Sequence, residues 1–270
     1  MSNSTEHPAV KDSNGAFLSF SPGRSLAFKA GILLKVLVSV TAVTLWSLLM
    51  LAIAGVTLFR ARRLYNEYLA RWLAQFILWQ WNIRLVVHRK GALPSGQVVY
   101  ISNHTSTIDI FAVIALGLPR CRYFLFGRLR RIVPLGIIAT LMGTFFTCPQ
   151  TDPDRRARIF RNADSTLRRT GESVYLSPEG VRVTTGDIGH FNKGAFHLAT
   201  SLKAPIVPFF IHIPAAINPG SGIDAEPGTI DIYFEEPVDT ADWRLENLVE
   251  NKERVRDRFI AWQRRYATPQ

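Results

Sequence analysis

The stretch 98–109, VVYISNHTSTID, decides how the rest of the chain is read. Its first half is a β-branched and aromatic run of the kind that forms strands. Its second half is small and polar, and it leads into TIDIFAVIALGL (107–118), whose composition and length predict a helix. A strand that ends in a short polar turn and opens a helix is one step of an α/β sheet.

Working outward, the same alternation recurs. IRLVVHRKG (83–91), QVVYISNH (97–104), RYFLFG (122–127), SVYLSP (173–178), PIVPFFIHI (205–213) and TIDIYFEEPV (229–238) are short runs ended by turn residues, and they predict strands. DRRARIFRNADSTLRRTG (154–171), GAFHLATSLK (194–203) and the charged segment 240–266 predict helices. The run 132–148 is apolar but broken by Pro134, Gly136 and Gly143, which leaves two readings: a helix and strand in the core, or a surface that docks on lipid. The expected fold is α/β, a mixed, mostly parallel sheet covered by helices and preceded by an N-terminal membrane-embedded helical segment. The expected organisation is a disordered tail (1–24), membrane-anchoring helices (25–82) and a catalytic domain (83–270).

The anchoring segment rests on 36–59, VLVSVTAVTLWSLLMLAIAGVTLF, which contains no charged residue. A bilayer core needs about 20 apolar residues in helical form. Arg60, Arg62 and Arg63 follow it, which argues against a cleaved signal peptide and leans toward a cytoplasmic C-terminal domain at an inner, cytoplasmic membrane. Tyr65, Tyr68, Trp72, Phe76 and Trp79 then recur at spacings of 3, 4, 4 and 3 and predict one aromatic helix face. Beside an apolar span, such a face suits the membrane–water boundary.

Among 270 residues, 32 basic against 21 acidic side chains give a formal charge of +11. The surplus points to an anionic partner. The aromatics cluster beside the apolar segment rather than among the basic residues of 154–169, which argues for lipid and against nucleic acid. Cys121 and Cys148 stand alone, in no zinc-binding spacing, so no metal is expected. His197 and His212 lie in apolar runs and read as core residues.

Chemistry is concentrated in two places. His104 and Asp109 are five positions apart, too far for neighbours on a regular helix, but they meet if a turn follows the strand and Asp109 opens the helix. A carboxylate on one ring nitrogen leaves the other free as a base. The chain has no G-x-S-x-G elbow, so the base is expected to act on a hydroxyl of the substrate. Next, LSPEGVRVTTG places Glu179, Gly180 and Arg182 directly after a strand; Gly180 permits a tight turn, and Arg182 offers a planar fork for a phosphate. HFNKGAFHLA adds Lys193 ahead of a helix start.

HxxxxD, PEGxR about 75 residues later, FxKG and the strand PIVPFFI, in that order, resemble the glycerolipid acyltransferase family, the 1-acyl-sn-glycerol-3-phosphate (PlsC-like) acyltransferases. The resemblance covers about 83–215. It implies that His104 deprotonates the acceptor hydroxyl, that Asp109 orients it, and that Glu179, Gly180 and Arg182 bind the glycerol phosphate. It also implies a phosphate contact from Arg128, with Arg130 and Arg131 nearby. The donor it implies is acyl-CoA or acyl carrier protein, with no further cofactor. The implied acceptor is a lysolipid, foremost 1-acylglycerol-3-phosphate. Ser177, Val181 and Val183 depart from the family's usual residues, and the segment TFFTCPQ lacks the arginine the family usually carries. Other lysolipids or an amino-acid lipid therefore stay open as acceptors. Two other classes also stay open: a lipase or thioesterase using water or Ser106, and a membrane-anchored binding protein without catalysis.

Overall fold

The structure is a computed structural model and describes residues 25–215, 217 and 225–266. The predicted tail 1–24 lies outside them. The order of elements is α1 (Leu26–Val56), α2 (Arg62–Leu64), a π-helical turn (Tyr65–Ala70), α3 (Arg71–Gln80), β1 (Ile83–Arg89), β2 (Val99–Ser102), α4 (Asp109–Ala115), β3 (Cys121–Phe126), a 3₁₀ turn (Gly127–Arg131), α5 (Val133–Leu141), β4 (Phe145–Thr147), α6 (Pro153–Thr170), β5 (Ser173–Leu176), α7 (Gly194–Leu202), β6 (Ile206–His212), β7 (Gly228–Phe234) and α8 (Leu248–Tyr266).

The seven strands form one sheet in the order β1-β7-β6-β2-β5-β3-β4. β6, β2, β5, β3 and β4 run parallel, β7 is antiparallel to β6, and β1 is parallel to β7. The sheet is thus mixed and mostly parallel. Period-two alternation distributes its side chains between two cores. Tyr100, Tyr123, Tyr175 and Phe209 point to one side, where α1, α3, α4 and α5 cover the sheet. Val99, Ile101, Val174 and Leu176 point to the other, against Ala163 and Leu167 of α6, Phe196 of α7 and Phe259 of α8. Burying each such large apolar side chain contributes about 1.5–3 kcal/mol.

Local sequence explains the element ends. In α6, the Asp152 side chain accepts from Arg155 N at 3.1 Å, Pro153 starts the helix, and Gly171 closes it at φ +62°. The predicted helix over 240–266 begins only at Leu248. Residues before it are held irregular: the buried Thr240 hydroxyl donates to Ala204 O at 2.9 Å, and Lys203 Nζ donates to Ala241 O and Trp243 O, both at 2.8 Å. The ambiguous run 132–148 is α5 followed by β4, and α5 packs against α1.

The segments 25–82 and 83–266 share one core. Met50 of α1, Tyr65, Leu73 and Ile77 belong to the same buried cluster as Tyr100 and Tyr123 of the sheet. Hydrogen bonds reinforce the junction: Asn66 Nδ2 donates to Cys121 O at 3.0 Å and to Met142 O at 3.2 Å. Four of the five predicted stripe aromatics are exposed: Tyr68 (49%), Trp72 (51%), Phe76 (37%) and Trp79 (72%). Tyr65 departs from the stripe; it is buried, and its hydroxyl meets Thr57 Oγ1 at 3.1 Å. The π turn takes more residues to close than an α turn, which rotates Tyr65 out of phase with the rest. His197 also departs from expectation, being exposed on the outer side of α7, and His212 is half-buried at the end of β6.

Candidate active site

The loops after β2, β3 and β5 gather at the carboxyl edge of the parallel strands, the usual place for a site in such sheets. β2 ends at Ser102, and Asn103 anchors the turn beyond it. The Asn103 Nδ2 donates to Ile211 O at 2.9 Å, and its Oδ1 accepts from Ile211 N at 2.8 Å. Asn103 therefore bonds β6 as a backbone would and does not cap α4. The chain then turns so that Asp109 stands in the first turn of α4.

Asp109 Oδ2 accepts from His104 Nδ1 at 2.8 Å, from Thr105 N at 2.7 Å and from Ser106 N at 3.0 Å. The carboxylate thus organises the whole turn as well as the ring. With Nδ1 donating to it, Nε2 keeps its lone pair. The Asp109 side chain is 2% exposed, whereas that of His104 is 34% exposed. The basic nitrogen accordingly sits on an accessible ring braced by a buried acid. Ser106 is buried, and its Oγ accepts from Ile108 N at 3.3 Å.

Glu179 lies behind the histidine. Its Oε2 accepts from His104 N at 2.6 Å and its Oε1 from Gly189 N at 2.8 Å. Both oxygens are engaged with the backbone, and the residue is 2% exposed. Burial pushes its carboxyl up to about 7, against the two backbone donors and the His104 charge, which favour the ionised form. Val183 N donates to His104 O at 2.8 Å, so the loop after β5 grips both sides of the His104 peptide.

Gly180 sits at φ +68°, and a Cβ there would lie 2.8 Å from Asn192 Nδ2. The Asn192 amide donates to Pro178 O at 3.1 Å and to Glu179 O at 2.8 Å, which requires that closeness. Arg182 Nη1 donates to Thr107 Oγ1 at 2.9 Å, which aims the guanidinium across the loop that carries His104. Arg128 lies in the 3₁₀ turn after β3 and is exposed, as is Lys193 at the N-cap of α7. Among the described residues, neither Arg128 nor Lys193 forms a hydrogen bond or ion pair with the His104 group. Gln150 projects toward the Gly180 turn, its Nε2 3.5 Å from where a Cβ on that glycine would be. Also among the described residues, no three His, Cys, Asp or Glu side chains converge as a metal site.

The sequence reading missed Asn103, Asn192 and Thr107 as organisers of the site. Asparagines flanking a candidate motif are the visible signal, since a buried Asn amide needs several partners.

Comparison with known proteins covers the same part of the chain. The sequence pattern of the family described as Acyltransferase matches residues 84–212, a span that begins in β1 and ends in β6 and contains His104, Asp109, Glu179 and Arg182. Over that span, from β1 to β6, the chain matches the acyltransferase family. Within curated proteins, it is 28% identical over 213 residues to the chloroplastic 1-acyl-sn-glycerol-3-phosphate acyltransferase BAT2 of Brassica napus, covering 77% of this chain and 60% of that one. It is 28% identical over 174 residues to the 1-acyl-sn-glycerol-3-phosphate acyltransferase of Saccharomyces cerevisiae, covering 62% of this chain and 56% of that one. The matches therefore span about 60% of the length of these relatives. The crystal structure of the 1-acyl-sn-glycerophosphate acyltransferase PlsC from Thermotoga maritima superposes with a TM-score of 0.72 at 20% identity, over 88% of this chain and 97% of that one. That likeness shows that the two chains share a fold.

Proposed function

We propose that this chain transfers a fatty acyl group from a thioester donor, acyl-CoA or acyl carrier protein, to the hydroxyl of a lysolipid. The foremost acceptor is 1-acylglycerol-3-phosphate, which gives phosphatidate. The observation that carries this reading is the His104–Asp109 pair at 2.8 Å on a partly exposed ring, with no hydrogen bond from Nε2 to a protein hydroxyl among the described residues. His104 Nε2 takes the acceptor's hydroxyl proton as the oxygen attacks the thioester carbonyl. The tetrahedral intermediate then expels the thiolate, which recovers the proton from the imidazolium. No enzyme side chain is acylated. Arg182, bonded to Thr107 on the loop that carries His104, serves the acceptor phosphate; Arg128 and Lys193, on neighbouring loops of the same strand edge, extend the positive field.

The named relatives support the acceptor class, and the apolar helix supports work at a membrane. α1 is long and apolar enough to cross a membrane, and it exposes Leu34, Leu37, Leu45 and Leu48. We place the catalytic domain on the cytoplasmic side, where the +11 charge meets anionic lipid or an acidic carrier.

The test is acyl transfer by purified full-length protein across a panel of lysolipids, with acyl-CoA and acyl carrier protein compared. Acylation of lysophosphatidate in preference to lysophosphatidylcholine is expected. Free fatty acid released at the same rate without any acceptor would convert the reading to a thioesterase.

A further inference from the structure

A groove of about 850 Å³ runs between α3, β1 and the linker 115–119, and none of the site residues described above lines it. That volume is in the range of a pocket for a drug-sized or lipid-sized ligand. Its walls are of two kinds. Arg71, Arg84 and Arg89 line it with no acidic residue among them, and among the described residues their side chains form no hydrogen bond or ion pair. Leu78, Leu85 and Leu116 supply apolar wall between them. Arg71, at the start of α3, and Arg89, at the end of β1, stand at the same end of the groove, and two guanidiniums beside leucine match the two halves of an anionic amphiphile.

The groove is also built rather than incidental. Gly117 lies at φ +61°, and a Cβ there would come within 2.5 Å of Arg71 Cδ, so the glycine is what lets the Arg71 stem lie across that end. Gln75 Nε2 donates to Ala115 O at 3.3 Å and ties α3 to the linker on the other flank. Trp79, 72% exposed, belongs both to the groove lining and to the exposed aromatic face of α3. The opening is therefore continuous with the surface best suited to a bilayer interface.

We infer that this groove is a second lipid site, which holds an anionic bilayer lipid with its phosphate at the end where Arg71 and Arg89 stand and an acyl chain along Leu78, Leu85 and Leu116. Arginine forks suit a phosphate monoester, the head of a phosphatidate, better than a choline-capped phosphodiester. The inference concerns binding and stands whether or not the chain transfers acyl groups.

The test uses the full-length protein in nanodiscs of phosphatidylcholine, alone or doped with phosphatidate brominated on its acyl chains. Quenching of tryptophan fluorescence is the readout, and a Trp79→Phe variant reports the share due to that ring. Quenching that saturates with phosphatidate and largely disappears in Trp79→Phe is expected. Arg71→Gln/Arg89→Gln together should weaken it at least tenfold, either change alone should weaken it severalfold, and Arg182→Ala should leave it unchanged. Brominated phosphatidylcholine quenching Trp79 equally well would overturn the inference, as would loss of the signal in Arg182→Ala but not in the groove variants. Inorganic phosphate competing at millimolar concentration, without any effect of the acyl chain, would overturn the lipid assignment.

Discussion

The main-chain N–H of His104 donates to Glu179 Oε2 at 2.6 Å, a bond between residues 75 positions apart. The resemblance assigns Glu179 to the acceptor's glycerol phosphate, yet its oxygens are both occupied by backbone donors. The carboxylate acts by holding the peptide that carries the His104 imidazole. It does so at an energetic cost, because burial raises its pKa from the ordinary value to about 7.

That cost sets a pH signature. A carboxyl whose folded pKa lies above its unfolded value stabilises the fold fully only in acid, and the contribution is lost as pH rises toward the folded value. The stability of the wild type relative to Glu179→Gln should therefore fall by about 3 kcal/mol between pH 4.5 and pH 7, then level off. Urea unfolding of the two proteins across that range measures it. A flat difference would mean that the carboxyl is not held above its ordinary range.

The reactive pair gives a second prediction. His104→Ala should reduce acyl transfer at least a hundredfold, the scale of a lost general base. Asp109→Asn should also reduce it strongly, since an amide in place of Oδ2 turns a donor toward Thr105 N, Ser106 N or the ring. His104→Ala should unfold at nearly the wild-type temperature, because it deletes a half-exposed ring, while Asp109→Asn should lose about 1–3 kcal/mol through unmet buried donors. Turnover assays paired with thermal melts separate the two effects. Full activity in His104→Ala would end the general-base account.

A third prediction concerns the joint between the N-terminal helices and the sheet. Glu172 Oε2 accepts from Arg122 Nε at 2.6 Å and from Arg62 Nη1 at 3.1 Å, and Arg122 also reaches Gly143 O at 3.3 Å. Burial alone would raise the Glu172 pKa, but the hydrogen bond and charge of Arg122, with Thr170 and Arg62, hold it below the ordinary range. Glu172→Gln leaves Arg122 buried without its counter-charge and should cost about 3 kcal/mol at neutral pH. A depressed carboxyl stabilises above its unfolded pKa, and the stabilisation is lost as pH falls through the folded one. The variant and the wild type should accordingly converge in strong acid. A constant difference at all pH values would assign the loss to packing instead.

Legibility in the sequence depended on how far apart the interacting residues lie. Strand and helix identities came from local pattern: the β-branched runs at 99–102 and 173–176 and the Asp152–Pro153 start of α6 carry their own signals. The meeting of His104 with Asp109 was also legible, because only a turn separates them. The irregular 240–247 segment was not, since Thr240 and Lys203 hold it through partners distant in sequence. Nor was the role of Glu179, whose backbone partners become visible only once the loop after β5 folds over β2. The reversed pair β7 and β1 was equally hidden, because strand direction is set by tertiary pairing.

The last prediction concerns Arg182. Its Nη1 donates to Thr107 Oγ1 at 2.9 Å, a bond that spans the two loops flanking the imidazole. If Arg182 receives the acceptor phosphate, Arg182→Ala should raise the KM for lysophosphatidate at least tenfold while changing the KM for the thioester donor little, because the lost contact is to the acceptor. Thr107→Val keeps the guanidinium and removes only its tether, so it should raise the acceptor KM about two- to fivefold in the same direction, the loss of roughly one modest hydrogen bond. Arg182→Lys should recover part of the affinity but not the two-point geometry, leaving an intermediate KM. Steady-state kinetics with each substrate varied in turn distinguishes these outcomes. An unchanged acceptor KM in Arg182→Ala would move the phosphate site toward Arg128 and Lys193, two further cations on this strand edge.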